Sequence, residues 1–283
     1  MIRFELLDSL SLPGAPDKPN DDAFGVLKNA AVVLDGATSL GEPLMPGRSD
    51  AAWLAQFGAR RLLAHVRDGD APRDAVRHTM EDAEKSFVAL RRRPPVETWE
   101  TPLASMMLVV ANDDGFDALW FGDCAALVKR PGGSVTILGD TLAKRELEAA
   151  RVARLAAKHG LSPAADQNRP EYLTALRRAR NHANTEKGGW VFGPDTHAAE
   201  HVDAKAVAAP RDTLVLLATD GFLALISDYR RYDAESLLAA ALSEGFEKIG
   251  QELREIEGAD ADGTRFPRFK TSDDATAVLL RVM

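Results

Sequence analysis

Short apolar runs that meet aspartate at one end constrain this chain more than any other feature. Ala30 to Leu34 runs into Asp35-Gly36, and Thr213 to Ala218 leads to Asp220-Gly221. Asp273-Asp274 opens Ala275 to Val282, and Asp21-Asp22 opens Ala23-Phe24-Gly25-Val26. Runs this short suit buried strands, and a strand is a rigid support for whatever stands at its end. The middle of the chain adds Leu103 to Ala111, the turn Asn112-Asp113-Asp114-Gly115, Phe116 to Phe121, the break Gly122-Asp123, Cys124 to Lys129, the turn Pro131-Gly132-Gly133, and Val135 to Leu138. Successive short strands joined by tight turns predict an antiparallel sheet and argue against a chain of βαβ units.

Helical periodicity appears between the strands. Leu54, Gly58, Leu62 and Val66 recur every four residues and predict a helix over 50–66, capped by Ser49 or Asp50. Val76, Met80, Ala83, Phe87 and Leu90 predict another over 73–91. Arg91, Arg92 and Arg93 close it as a basic cap and solvated surface, and Pro94-Pro95 stops it. Further helices are expected around Ala149, Val152, Ala153 and Ala156 up to Gly160, over 171–180, and along Leu237 to Leu242 and Ile249 to Ile256. Trp190, Val191 and Phe192 sit in a stretch rich in turn formers, which reads as a flap packed by a small aromatic cluster or as an irregular loop. Residues 257–272 read as polar and mobile. At about 150 residues per domain, 283 residues allow two domains or one large one. The distribution of strands favours a single domain over 1–283 with a helical and flap insertion at about 140–205.

Charge and cysteine content narrow the functions. Thirty-five basic against 43 acidic residues give a net charge of -8, which favours neither nucleic acid nor an anionic membrane as partner. No apolar run exceeds six residues, against the roughly 20 of a spanning helix, and the N-terminus lacks the pattern of a signal peptide. One cysteine forms no internal disulfide or thiolate cluster, so a cytoplasmic location is the expectation. Of six histidines, His197 and His201 are four apart, but Gly193 and Pro194 make a shared helical face doubtful.

Each aspartate taken singly fits a turn or a helix cap, and Asp113-Asp114-Gly115 is read as a turn. Taken together, Asp21, Asp22, Asp35, Asp123, Asp220 and Asp273 favour a metal site. Carboxylates gathered at one point repel one another until cations neutralise them. All-oxygen donors suit Mg²⁺ or Mn²⁺. Two such ions can activate a water and clamp a phosphoryl group. Other chemistries lack their motifs. Neither Asp35 nor Asp220 begins the DxD of aspartyl-phosphate enzymes, and GxxxxGK[ST], GxGxxG and GxSxG are absent.

In order along the chain, Asn20-Asp21-Asp22, Val33-Leu34-Asp35-Gly36, Ala104-Ser105-Met106, Gly122-Asp123-Cys124-Ala125, Thr219-Asp220-Gly221-Phe222 and Asp273-Asp274-Ala275-Thr276 resemble the motifs of the PP2C-type (PPM) metal-dependent protein phosphatases, especially the bacterial ones. The resemblance implies an α+β fold, a four-layer α-β-β-α sandwich with two central, mainly antiparallel sheets. It implies two Mn²⁺ or Mg²⁺ ions, and a third weaker site that Asp123 would join. Asp35 would bridge the two ions and orient their shared water, and the Gly36 carbonyl would complete one shell. Asp220 and Asp273 would ligate the other ion, while Asp22 would hold bound waters with Asp21 beside it. Asp35 and Asp220 would thereby be the catalytic pair. The bridging hydroxide would attack phosphorus in line, and the substrate would be phosphoserine or phosphothreonine in a protein.

The sequence departs from the family where the substrate phosphate is clamped. The usual arginine position holds Asp17, leaving Lys18 or the more distant Arg180, with Asn181 and Asn184, as phosphate-side candidates. Alanine stands at 125 where the family has arginine, and Ala37-Thr38 offers no histidine general acid. These departures keep two alternatives in view, a phosphatase of a small phosphorylated molecule and a non-catalytic regulatory protein of the same fold. Cys124, in place of the family's serine, reads as a small packed residue and not as a nucleophile.

Overall fold

The computed structural model describes residues 2–139 and 170–283, with single positions at 141, 150, 154 and 157 between them. The helix expected around Ala149 to Ala156, with its terminator Gly160, lies outside the described residues. Among the described residues ten strands form two antiparallel sheets of five. The first orders β1 (Phe4–Leu12), β10 (Ala275–Val282), β9 (Leu214–Ala218), β6 (Ala125–Lys129) and β7 (Val135–Leu138). The second orders β2 (Asp22–Leu27), β3 (Ala30–Gly36), β4 (Ala104–Ala111), β5 (Gly115–Phe121) and β8 (Asp203–Ala208).

The central strands read as unbroken apolar runs because both of their faces are buried. Ala31 and Val33 of β3 face Val215, Leu217, Val278 and Leu280 in the core between the sheets, while Val32 and Leu34 turn outward onto helices. Those helices are α1 (Asp50–Asp68) and α2 (Pro72–Leu90), which cover the second sheet with Leu54, Leu62, Val76 and Met80. On the first sheet, Leu216, Ala218 and Leu279 meet α4 (Asp220–Ser227), α5 (Ala234–Glu244) and α6 (Phe246–Ala259) through Phe222, Leu238, Phe246 and Leu253. The layers are therefore helix, sheet, sheet, helix, as the resemblance implies. Helix α3 (Pro170–Arg180) stands where a helix was expected over 171–180. Among the described residues no helix is long and apolar enough to cross a membrane.

Three local expectations change. The arginines after α2 lie beyond the helix, whose last turn has no basic residue. Arg92 reaches the Pro43 carbonyl and Arg93 pairs with Glu100 at 2.6 Å. The sequence Asp203–Ala208, read as the end of an insertion and its sequel, is the edge strand β8, paired with β5. Residues 260–274 contain no helix or strand, yet they are anchored. Arg268 and Asp260, each 8% exposed, pair at 2.7 Å, and Phe269 packs edge-on against Tyr172 of α3 with ring centres 5.6 Å apart.

Candidate active site

The carboxylates converge because strand register and tight turns bring them there. Across β2 and β3, Asp22 stands opposite Asp35, and across β3 and β4, Asp35 stands opposite Ser105. The Ser105 hydroxyl donates to Asp123 in the turn that follows β5. Asp220 opens α4 directly after β9 and Thr219, and Asp273 precedes β10. Oxygens of Asp35, Asp123 and Asp220 all lie within 4.8 Å of one another. Glycines permit this closeness. A Cβ on Gly36 would stand 2.6 Å from the Asp21 carbonyl and 2.7 Å from that of Ala51, and one on Gly221 would stand 2.0 Å from the Asp274 carbonyl. Neither position has room for a side chain.

The surrounding hydrogen bonds fix the approach. Ser49, which caps α1 by accepting from the Ala52 amide, also donates to Asp21. Asp274 accepts from the amides of Gly14 and Asp21, both at 2.6 Å, and so ties the proline-rich loop to the start of β10. Thr219 donates to Asp22 Oδ2 at 2.9 Å. Asp22 Oδ1 is buried and has no hydrogen-bond partner among the described residues.

The electrostatics of the group are unfavourable to five negative charges. Asp35 is half-buried at the end of β3. Burial, reinforced first by Asp22 and then by Asp220, Asp123 and Asp273, pushes its carboxyl well above the usual carboxylate range. Asp22 is pushed the same way by burial and by Asp274. Burial also raises Asp21, against the lowering effect of Ser49. One cation already contacts the group: Lys270 Nζ lies 2.6 Å from Asp273 Oδ1 and 2.8 Å from Thr38 Oγ1. Burial opposes the charge on Lys270, but the attraction of Asp273 outweighs it and raises the ammonium above its ordinary value. An orphaned buried oxygen, raised carboxyls and an all-oxygen donor set fit hard divalent cations, which would supply the missing positive charge.

Beside these carboxylates opens a cleft of about 740 Å³, lined by Asp21, Asp273 and Asp274 and by the cations Lys18, Arg48 and Lys270. Of the two phosphate-side candidates from the sequence, Lys18 stands on this cleft. Arg180 instead lines a small recess with Trp99 and Asp50, donating to the Thr38 carbonyl at 2.9 Å. Burial lowers its pKa to about 10. Asn181 bonds the Trp99 amide and Glu97, and Asn184 accepts from the Val191 amide, so both brace loops. Sequence reasoning missed Arg48 and Lys270. The first lies in a loop whose path the sequence leaves open, and the second in the segment read as mobile. Cys124 is buried between the sheets, and burial pushes its thiol well above its ordinary value, which removes it as a nucleophile. His197 and His201 surround Trp190, with the His201 ring stacked on the indole at 3.5 Å.

Two five-stranded sheets between helices, with aspartates at one end, define the fold of the metal-dependent phosphatases. The sequence pattern described as Protein phosphatase 2C matches residues 15–256, and the chain belongs to that family. Among solved structures, the PPM Ser-Thr phosphatase MsPP from Mycobacterium smegmatis, in complex with cacodylate, is 16% identical with a TM-score of 0.56, covering 97% of this chain and 98% of that one. The Mycobacterium tuberculosis serine/threonine phosphatase PstP/Ppp is 14% identical with a TM-score of 0.58, covering 99% and 98%. A structure of the PstP catalytic domain with two manganese ions is also 14% identical with a TM-score of 0.58, covering all of both chains. No curated protein sequence matches the chain.

Proposed function

We propose that this chain hydrolyses phosphomonoesters, with phosphoserine and phosphothreonine in proteins as its substrates, using two Mn²⁺ or Mg²⁺ ions. The observation behind this reading is the convergence of Asp35, Asp123 and Asp220, with an orphaned oxygen on Asp22, which stands opposite Asp35, and with Asp21, Asp273 and Asp274 lining a cleft that also carries Lys18, Arg48 and Lys270. Asp35, the Gly36 carbonyl, Asp220 and Asp273 would hold the two ions, Asp22 and Asp21 would order the water around them, and Asp123 would hold a third. Bound there, such ions acidify water and neutralise charge on a transferring phosphoryl group.

The chain's own residues contribute positioning. Asp35 and Asp220 approach from opposite sheets and orient the attacking water between them. Ser105 and Thr219 hold Asp123 and Asp22 in place. Lys18 and Arg48 draw the phosphate dianion to the cleft, and Arg48 is itself tied to the loop of Lys18 by a 2.7 Å bond to the Asp17 carbonyl. Arg48 supplies the two-pronged donor that a lysine lacks. Ala37, directly after Asp35-Gly36, stands where a histidine general acid would be sought, so water held at the site would supply the proton to the leaving oxygen.

The acidic residue at position 17, beside the basic rim, favours one second reading, a small phosphorylated molecule as substrate. Hydrolysis of a phosphopeptide panel and a small-phosphoester panel, with and without Mn²⁺, separates the two. Turnover of phosphopeptides that is lost in Asp220→Asn supports the proposal. Turnover confined to small esters selects the second reading. Turnover that persists without divalent metal or is unchanged in D220N overturns both, and no turnover of either panel leaves a non-catalytic protein of this fold.

A further inference from the structure

The other end of α1 holds a second cluster of ligand-type side chains. At about 1.5 Å of rise per residue, His65 lies roughly 24 Å along the helix from Ser49 and the acidic cleft. His65 stands in the last turn of α1, Asp70 in the connection after Gly69, and His78 in α2. Asp70 Oδ2 lies 3.1 Å from His65 Nδ1 and 2.6 Å from His78 Nδ1. The two imidazoles face each other with ring centres 5.4 Å apart, and all three side chains are between 19% and 34% exposed.

We propose that His65, Asp70 and His78 form a zinc-type site, binding a divalent transition ion through two imidazole nitrogens and one carboxylate oxygen with water in the fourth position. The geometry behind this begins on the far side of His65. Its Nε2 lies 3.1 Å from Asp82 Oδ2 and 3.3 Å from Arg61 Nη2, and Arg61 also donates to that carboxylate, so that Asp82 and not the imidazole can take up the guanidinium. A carboxylate on the outer nitrogen of a ligating histidine fixes the tautomer and turns the other nitrogen's lone pair inward. With its proton toward Asp82, a neutral His65 aims the Nδ1 lone pair at Asp70 Oδ2, a second electron-rich atom. Those two atoms attract with a positive centre between them, a proton in the metal-free protein and a metal ion in the loaded one.

Zinc lies about 2.0–2.1 Å from histidine nitrogen, which places tetrahedral ligands roughly 3.3 Å apart. His65 Nδ1 and Asp70 Oδ2 are close to that spacing, and the Asp70–His78 pair, at 2.6 Å, reaches it by opening roughly 0.7 Å. The Asp70 side chain stands in a turn and can move that far. Binding also requires a proton on His78 Nε2, which now lies 3.0 Å from Arg77 Nη2. Arg77 has Asp74 at 3.0 Å and Glu81 at 2.8 Å to hold it when it withdraws. Imidazole donors select zinc-like ions over the Mg²⁺ and Ca²⁺ that oxygen cages prefer. The bound ion would cross-link α1 to α2 at their turn.

The test uses the full chain stripped of metal and resupplied with saturating Mg²⁺, so that the acidic centre is filled. Co²⁺ should then give one tetrahedral ligand-field spectrum that survives in Asp220→Asn and disappears in His65→Gln and His78→Gln. Zn²⁺ at about a hundredfold excess over its Kd should raise the wild-type Tm by roughly 5 °C. Ring ¹⁵N resonances give a measurement that needs no variant, since Zn²⁺ should shift Nδ1 of both histidines in the wild-type protein. A Co²⁺ spectrum unchanged in His78→Gln, or imidazole resonances that stay fixed in excess Zn²⁺, would overturn the proposal and leave two histidines sharing one carboxylate as a hydrogen-bonded clamp.

Discussion

The acidic strand ends and the turn between α1 and α2 both gather aspartates, and the two sites treat them in opposite ways. At the turn, Asp70 is drawn below its ordinary value, first by the His78 hydrogen bond. Asp82 is drawn down as well, since its bonds from Arg61 and His65 outweigh the effect of burial. At the strand ends, burial and neighbouring carboxylates push Asp35 and Asp22 up. Asp82 already has its cation, whereas Asp35 is built to need one. The difference comes from position. A helix surface offers arginine at neighbouring turns, while strand ends between two packed sheets face mainly other strand ends, with Lys270 reaching only Asp273 among them.

That contrast can be broken by charge removal. The largest expected effect is on catalysis: Asp35→Asn should lower phosphoester turnover by about a thousandfold or more, the factor for losing several kcal/mol of charge stabilisation. The same substitution should stabilise the chelated protein, raising Tm by about 2–5 °C in a thermal melt without metal. A raised carboxyl holds its proton in the folded state above the pH at which the unfolded chain loses it. Its contribution to stability is therefore full below about pH 4 and lost as pH rises through the folded-state value. The Tm gap between Asp35→Asn and wild type should widen from about pH 4 toward neutrality, and Mn²⁺ should close it. A gap that does not vary with pH would show that repulsion is not its cause.

Lys270 sharpens the comparison from inside the acidic group. Lys270→Met removes the cation that touches Asp273, so the chelated protein should lose stability while Mn²⁺ binds about tenfold more tightly in a calorimetric titration. Weaker Mn²⁺ binding would mean that Lys270 positions Asp273 more than it competes for it. The smallest effect belongs to the turn. Asp82→Asn should destabilise by about 0.5–1 kcal/mol in urea melts, since Arg61 is 42% exposed and solvent screens the pair. Its sign is opposite to that of Asp35→Asn.

What could be read in advance follows the same division. β3, β9 and β10 were legible because both faces are buried, so their residues are apolar without interruption and the aspartates beyond them stand out. The exposed edge strand β8 was not, since Asp203, Ala204, Lys205 and Ala206 face solvent and nothing in their pattern demands a strand. Asp35, Asp123, Asp220 and Asp273 could be picked out because turns and strand register place them. Lys270 could not, because its position depends on Arg268 reaching Asp260 and Phe269 reaching Tyr172, contacts between a loop and distant elements. His65 and His78 fell within two correctly expected helices. Thirteen residues apart, they meet only once the helices fold back on each other about Gly69, whose positive φ of 102° makes the turn.

The central claim is that these aspartates converge in order to bind divalent cations, and a calorimetric Mn²⁺ titration of the chelated chain tests it most directly. The His65→Gln protein, in which the turn contributes nothing, should bind two ions at the acidic centre, and Asp35→Asn added to that background should lose both. Equal Mn²⁺ uptake with and without the Asp35 carboxylate would contradict the account.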